Sequence, residues 1–247
     1  MTKHVRKIKL TLEYDGTHFF GYQTQKNKRT VQGELEKALR RLFQKKIISY
    51  GSGRTDSGVH AEGQIVHFET SAKFPLAKIQ HGLNHYLPRD ISVVQIAKAA
   101  HSFHAQYSAK WKLYEYRVLS SQHRSPLEMR AAQFPHPLSL PKMKKGARLL
   151  VGRHDFRAFE SSGGRRKSAV RTIRRFEVQK KGKIISFQIE ANGFLYKMVR
   201  SMIGTLLEIG SGKKKLAALK KILITKDRNL IGPTAPAHGL TLKQVSY

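Results

Sequence analysis

Residues 47–70 read IISYGSGRTDSGVHAEGQIVHFET, in which two apolar pieces, Ile47-Ile48 and Gln64 to Thr70, bracket a polar run carrying four glycines. The pattern predicts two strands joined by a shaped loop, because glycine adopts backbone conformations that other residues resist and lets a ligand approach the main chain closely. Arg54 and Asp56 stand two residues apart inside that loop. Across a bend the guanidinium would keep the carboxylate ionised and could also hold phosphate. An isolated T-D-S-G is more often an ordinary surface turn whose Asp bonds its own backbone, so the flanking chain has to decide.

Upstream, Val5 to Tyr14 alternates with Ile8, Leu10, Leu12 and Tyr14 on one face, the period of a half-buried strand. Thr17 to Gln25 then carries His18, Phe19, Phe20 and Tyr22 in a polar context, which suits either loop-borne aromatics or core packing. Thr30 is a candidate N-cap for an amphipathic helix on which Val31, Leu35, Ala38, Leu39, Leu42 and Phe43 recur at helical spacing. Downstream, Leu76 to Leu87 reads as a helix stopped by Pro88, and Ile91 to Ala97 as a strand. The order is strand, helix, strand, strand, helix, strand.

Periodicity lapses at HSFHAQYS, His101 to Ser108, and the expected division is a first domain of residues 1–104 carrying the Asp56 loop and a second of 105–247. The second half starts again with a strand from Trp111 to Leu119, where Tyr114 and Tyr116 share a face suited to core packing or to stacking on a base. Met143, Ala147, Leu150 and Val151 space a helix, and Arg171 to Gln179 with Lys183 to Glu190 form a hairpin around Lys181-Gly182. A helix is predicted from Asn192 to Ile209, its apolar face interrupted by Arg200, a cation expected to need a carboxylate. A basic helix from Lys213 to Ile224 and a strand from Leu240 to Val245 complete the half. The fold class is therefore α+β: two βαββαβ units, ferredoxin- or RRM-like, with largely antiparallel sheets placed side by side. Between the helix at Met143 and the hairpin, Arg165, Arg166 and Lys167 beside two glycines are candidates for clamping a sugar-phosphate backbone.

Charge sets the partner. The 247 residues include 47 Lys and Arg against 16 Asp and Glu, a formal charge of +31. So large an excess is most simply matched by nucleic acid, with counterion release driving association; an anionic membrane surface is the rival. No apolar run approaches spanning length and the N-terminus lacks a signal-peptide core, so a soluble, cytoplasmic protein is expected. The absence of Cys excludes disulfides, zinc-thiolate sites and cysteine nucleophiles. No His pattern has metal-ligand spacing, so no metal is expected.

The loop segment GRTDSGVHA closely resembles the signature of the TruA family of tRNA pseudouridine synthases. The resemblance extends along the chain through YDGTHFFGYQTQ, TVQGELEKAL, KLYEYRV, HDFRAF, VRTI, NGFLYKMVRSMIGTLLEIG and GPTAPAHGL, in the family's order. It departs at Ser57, where alanine is usual, Tyr22, where tryptophan is usual, and Thr241, where an aromatic is common. The likeness implies the pseudouridine synthase fold and isomerisation of uridine to pseudouridine at positions 38 to 40 of the tRNA anticodon stem-loop. It further implies a cytoplasmic homodimer without cofactor. It makes Asp56 the catalytic nucleophile and Tyr114 the substrate-contacting tyrosine, with Arg54 and Arg200 expected to contact Asp56 and the target nucleotide. The second domain is then expected to complete the active-site cleft. Two other readings share the charge and the fold: a non-catalytic tandem RNA-binding module with Asp56 as a turn residue, and a synthase acting elsewhere in RNA. A metal-dependent nuclease is weakened by the lack of clustered carboxylates.

Overall fold

Strand β1 (Arg6–Tyr14) forms where Ile8, Leu10 and Leu12 alternate with polar residues, and each of the three is fully buried. In a computed structural model that describes residues 5–163 and 168–247, the chain divides into two units, residues 1–110 with 242–247 and residues 111–241.

The first unit continues with α1 (Val31–Phe43), β2 (Ser49–Gly51), β3 (His60–Thr70), α2 (Leu76–Tyr86) and β4 (Ile91–Ala99). Thr30 caps α1 as expected, its hydroxyl accepting from the Gly33 N–H at 3.2 Å. β1 lies between β4 and β3, antiparallel to both, and β2 pairs with the far part of β3. Register opposes Ile8 to Phe68 and Leu10 to Val66 on the face that the helices cover, where Phe43 of α1 packs its ring 5.8 Å from Phe68. The Asn84 amide of α2 both donates to Val93 C=O (3.0 Å) and accepts from Val93 N–H (2.7 Å), tying α2 to β4. The other face opposes Lys7 to Glu69 and Lys9 to His67.

The second unit contains β5 (Trp111–Ser120), β6 (Ala132–Phe134), α3 (Leu140–Leu150), β7 (Gly152–Asp155), β8 (Val170–Lys181), β9 (Ile184–Ala191), α4 (Met198–Gly210) and α5 (Leu216–Thr225). Its strands run β5-β9-β8-β7 with antiparallel pairing, and β6 lies parallel to β5. The hairpin turn falls at Gly182, φ +58°, where glycine accepts a left-handed backbone. Tyr116, Met143, Leu150, Phe187, Met202 and Leu206 are fully buried in its core.

Three expectations shift. The division falls after Lys110 because residues 101–108 pack back on the first sheet: Lys7 Nζ donates to His101 C=O (2.7 Å) and Phe103 C=O (2.9 Å). The final strand, β10 (Leu240–Ser246), gives its residues from Leu242 onward to the first unit, beside β3. There Ser246 C=O accepts from Lys110 N–H at 2.8 Å. The helix predicted from Asn192 starts only at Met198. Asn192 instead accepts from Thr172 N–H through Oδ1 (3.0 Å), and Lys197, at φ +58°, turns the chain into α4.

Candidate active site

Asp56 sits on the connection between β2 and β3 and is half-buried, with neighbours pinned on both sides. Thr55 is buried: its hydroxyl shares a hydrogen bond with the Tyr14 phenol (2.8 Å), and its C=O accepts from Tyr22 N–H (3.1 Å). Beyond Asp56, Val59 N–H donates to Asp56 C=O (3.2 Å), closing a turn in which Gly58 takes φ +78°. Ser57 Oγ donates to Phe19 C=O at 3.1 Å. At the start of the loop, Ser52 Oγ donates to Gln64 Oε1 (2.6 Å), and Gln64 Nε2 donates to Gly53 C=O (2.9 Å). A buried amide left half-bonded would cost about 1–3 kcal/mol, and here both ends of Gln64 are used.

The segment after β1 forms the floor of the loop. A Cβ on Gly21 (φ +85°) would lie 2.8 Å from Thr55 O and 3.4 Å from the Asp56 carbonyl carbon. A Cβ on Gly16 would overlap Val59 O at 2.0 Å. Both glycines are required by close backbone approach, which sequence periodicity cannot reveal. Gly16 N–H donates to Nδ1 of buried His60 (3.0 Å). Asp15 Oδ1 lies 3.2 Å from the same nitrogen. Phe19 and Tyr22 are buried while Phe20 is exposed, so the aromatic run splits between core and surface. Burial pushes the phenols of Tyr14 and Tyr22 well above their ordinary range and keeps both neutral. Arg29 makes a bidentate pair with Asp90 (2.7 Å for both bonds) and stacks its guanidinium 4.2 Å over the Phe19 ring. Hydrogen bonding to Asp90 raises the Arg29 pKa further.

Arg54 is exposed on the same loop as Asp56. The remaining candidates belong to the second unit. Tyr114, on β5, is 8% exposed and meets Phe194 edge to face at 5.1 Å. Tyr116 on the same face is fully buried, its hydroxyl donating to Pro236 C=O (2.9 Å), so that ring is core. Arg200, on α4, is half-buried; its Nε donates to Ala235 C=O (2.7 Å) while Ala235 N–H donates to Arg200 C=O (3.1 Å). That reciprocal clasp brings the GPTAPAHG segment against α4. It is completed where Gly232 N–H donates to Thr205 Oγ1 (2.9 Å) and where a Cβ on Gly204 would fall 1.6 Å from Pro233 O. Arg165, Arg166 and Lys167 lie outside the described residues. Among the described residues no group of three or more His, Asp or Glu could hold a metal ion, and no helix is long and apolar enough to cross a membrane.

The family described as tRNA pseudouridine synthase matches residues 11–108 and 147–247. tRNA pseudouridine synthase A of Anoxybacillus flavithermus is 44% identical over 244 residues, covering 98% of this chain and 99% of its own. Its counterpart from Geobacillus kaustophilus is 45% identical, covering 98% and 95%. Among solved structures, the archaeal box H/ACA sRNP Nop10–Cbf5 complex matches 91% of this chain and 60% of its own at 12% identity, with a TM-score of 0.36. That score carries no argument, and the assignment rests on the sequence matches. The resemblance read from the motifs holds over almost the whole length, and the chain belongs to the tRNA pseudouridine synthase family.

Proposed function

We propose that this protein isomerises uridine to pseudouridine in tRNA, at positions 38, 39 and 40 of the anticodon stem-loop, with Asp56 as nucleophile. The carrying observation is family membership across nearly the full chain, joined to a loop that braces both neighbours of one carboxylate by hydrogen bonds and glycine contacts.

The reaction breaks the bond between C1′ and N1, turns the uracil, and joins C5 to C1′; the C5 proton leaves and N1 regains one. A carboxylate can add to C1′ of the ribose or to C6 of the base, and either route needs it ionised and held still. The target base must first leave its stack, at a cost of a few kcal/mol that phosphate contacts and stacking offset. Arg54 and Arg200 are proposed to contact Asp56 and the nucleotide, and Tyr114 to stack on uracil, on the strength of the family resemblance. Arg165, Arg166 and Lys167 are proposed phosphate contacts on charge alone. Neutralising them should flatten the salt dependence of binding by up to about 0.9 in log–log slope for each phosphate interaction removed, and an unchanged slope makes that loop a bystander. A cytoplasmic homodimer working without cofactor is part of the same reading, and sedimentation of the purified protein tests the dimer.

The deciding assay supplies tRNA carrying tritium at uridine C5 and follows release to water. Wild type should release it, and Asp56→Asn should fall at least about 10³-fold. No release by wild type removes the synthase reading, and full release by the variant removes Asp56 from its role.

A further inference from the structure

The HSFHAQYS segment, which breaks the sequence periodicity, is folded into a defined surface on the first unit. Ser108 N–H donates to His104 C=O (2.9 Å) and His104 N–H to Ser108 Oγ (3.0 Å), closing the segment on itself. His104 Nδ1 accepts from both Gln106 N–H (3.2 Å) and Tyr107 N–H (3.3 Å), which fixes the imidazole. Tyr107 stacks on it at 4.3 Å and 26°, leaving its other face to solvent at 79% exposure. On the neighbouring strands Tyr50, 46% exposed, stacks on His67 at 5.1 Å and 20° and leans on His104 at 5.6 Å. His67 is itself held by Ala105 N–H, which donates to Nδ1 at 3.1 Å.

The array is aromatic, fixed and flanked by a cation. Lys9 Nζ lies 5.8 Å from the Phe103 ring and 6.0 Å from that of Tyr247, while the buried Lys7 is spent on the backbone of the same segment and on Glu69 (3.4 Å). Both imidazoles accept through Nδ1 and are therefore neutral, in keeping with the lowering of their pKa values by burial and by Lys7. Protein-binding patches deplete charge at their centres, whereas flat rings interleaved with lysines are what single-stranded nucleic acid uses: ring faces for bases and cations for phosphates.

We propose that Tyr50, His104 and Tyr107 form a stacking platform for unpaired nucleotides of the RNA substrate, separate from the Asp56 loop. This rests on the reading of the protein as an RNA-modifying enzyme and adds a second foothold to it. His67, beneath the platform, lies seven residues along β3 from His60, at the end of the Asp56 loop. Extended strand makes that ~23 Å, so the platform takes nucleotides other than the one that reacts. Stacking requires a base face, which a paired helix hides, so the ligand is an unpaired stretch.

The test is the dissociation constant for unmodified tRNA transcript with Tyr107→Leu, Tyr50→Leu, Tyr107→Trp and, as a surface control on α2, Tyr86→Leu. Each platform leucine should weaken binding about tenfold, while Tyr107→Trp and Tyr86→Leu stay near wild type. Equal affinity across the set overturns the proposal, as does equal weakening by tryptophan and leucine at Tyr107. A leucine variant that changes the sedimentation of the protein alone and leaves RNA affinity intact makes the patch a protein contact and also overturns it. Tritium release by wild type, run alongside, separates the two ideas: release without a platform effect leaves the synthase standing, and a platform effect without release leaves only RNA binding.

Discussion

Two backbone clasps, one in each unit, hold the candidate site residues by opposite means. The loop bearing Asp56 is braced by polar side chains, with Tyr14 on Thr55, Gln64 on Gly53 and Ser52, and His60 on Gly16, and glycines serve where the floor comes close. The clasp on Arg200 is mostly shape: α4 offers a bare Gly204 to Pro233, and three backbone groups of the 232–235 segment complete the fit. A polar brace tolerates small shifts but answers to protonation and to loss of one hydroxyl. The α4 clasp includes one hydroxyl, that of Thr205, and fails most sharply on a single methyl group at Gly204.

The largest break should come from that methyl. Gly204→Ala puts a Cβ 1.6 Å from a backbone oxygen and should cost about 3 kcal/mol, lowering Tm by about 6–12 °C. Gly21→Ala, at φ +85° and 2.8 Å from Thr55 O, should cost about 1–3 kcal/mol, with tritium release falling further than stability alone explains. Thermal melts near those of wild type for both would dissolve the comparison.

Acid should separate the two units next. Burial, together with His104 and Lys7, depresses the His67 pKa to about 4, against about 6.5 when unfolded; Glu69 opposes the shift. Between those values the unfolded chain binds the extra proton. The contribution is thus complete above about pH 6.5 and is lost progressively as pH falls towards about 4. Hydrogen exchange should show the first unit loosening over that window before the second, and simultaneous loosening would count against the contrast.

The smallest effects sharpen it. Tyr14→Phe leaves the buried Thr55 hydroxyl without its phenol partner and should cost about 1–2 kcal/mol. Tyr22→Phe removes a buried hydroxyl that has no partner among the described residues, so it should be neutral or stabilising by up to about 1 kcal/mol. Denaturant titration of the pair checks both, and a larger loss from Tyr22→Phe would mean the brace is wrongly drawn.

Much of this was legible in the chain itself. Alternation in Val5 to Tyr14 and the spacing from Val31 to Phe43 give β1 and α1 because each buries one face of a regular period. Asp56 was marked by its glycines and by the family motif. Close approaches were not legible, since nothing in GTHFFG says that Gly16 and Gly21 lie under the loop. The start of α4 is hidden because an apolar period continues through residues 192–197, although Lys197 turns left-handed there. The proposed platform is hidden because its rings come from β2 and from a distant segment without period.

The placement of β10 bears on how the protein is made. Residues 242–247 belong to the unit that carries Asp56, yet all of the other unit is translated before them. During synthesis the β3 edge must wait, exposed, until the final strand leaves the ribosome. A nascent chain stalled within the second unit would thus carry the Asp56 loop on an unfinished sheet. Pairing of that waiting edge with another strand is the hazard.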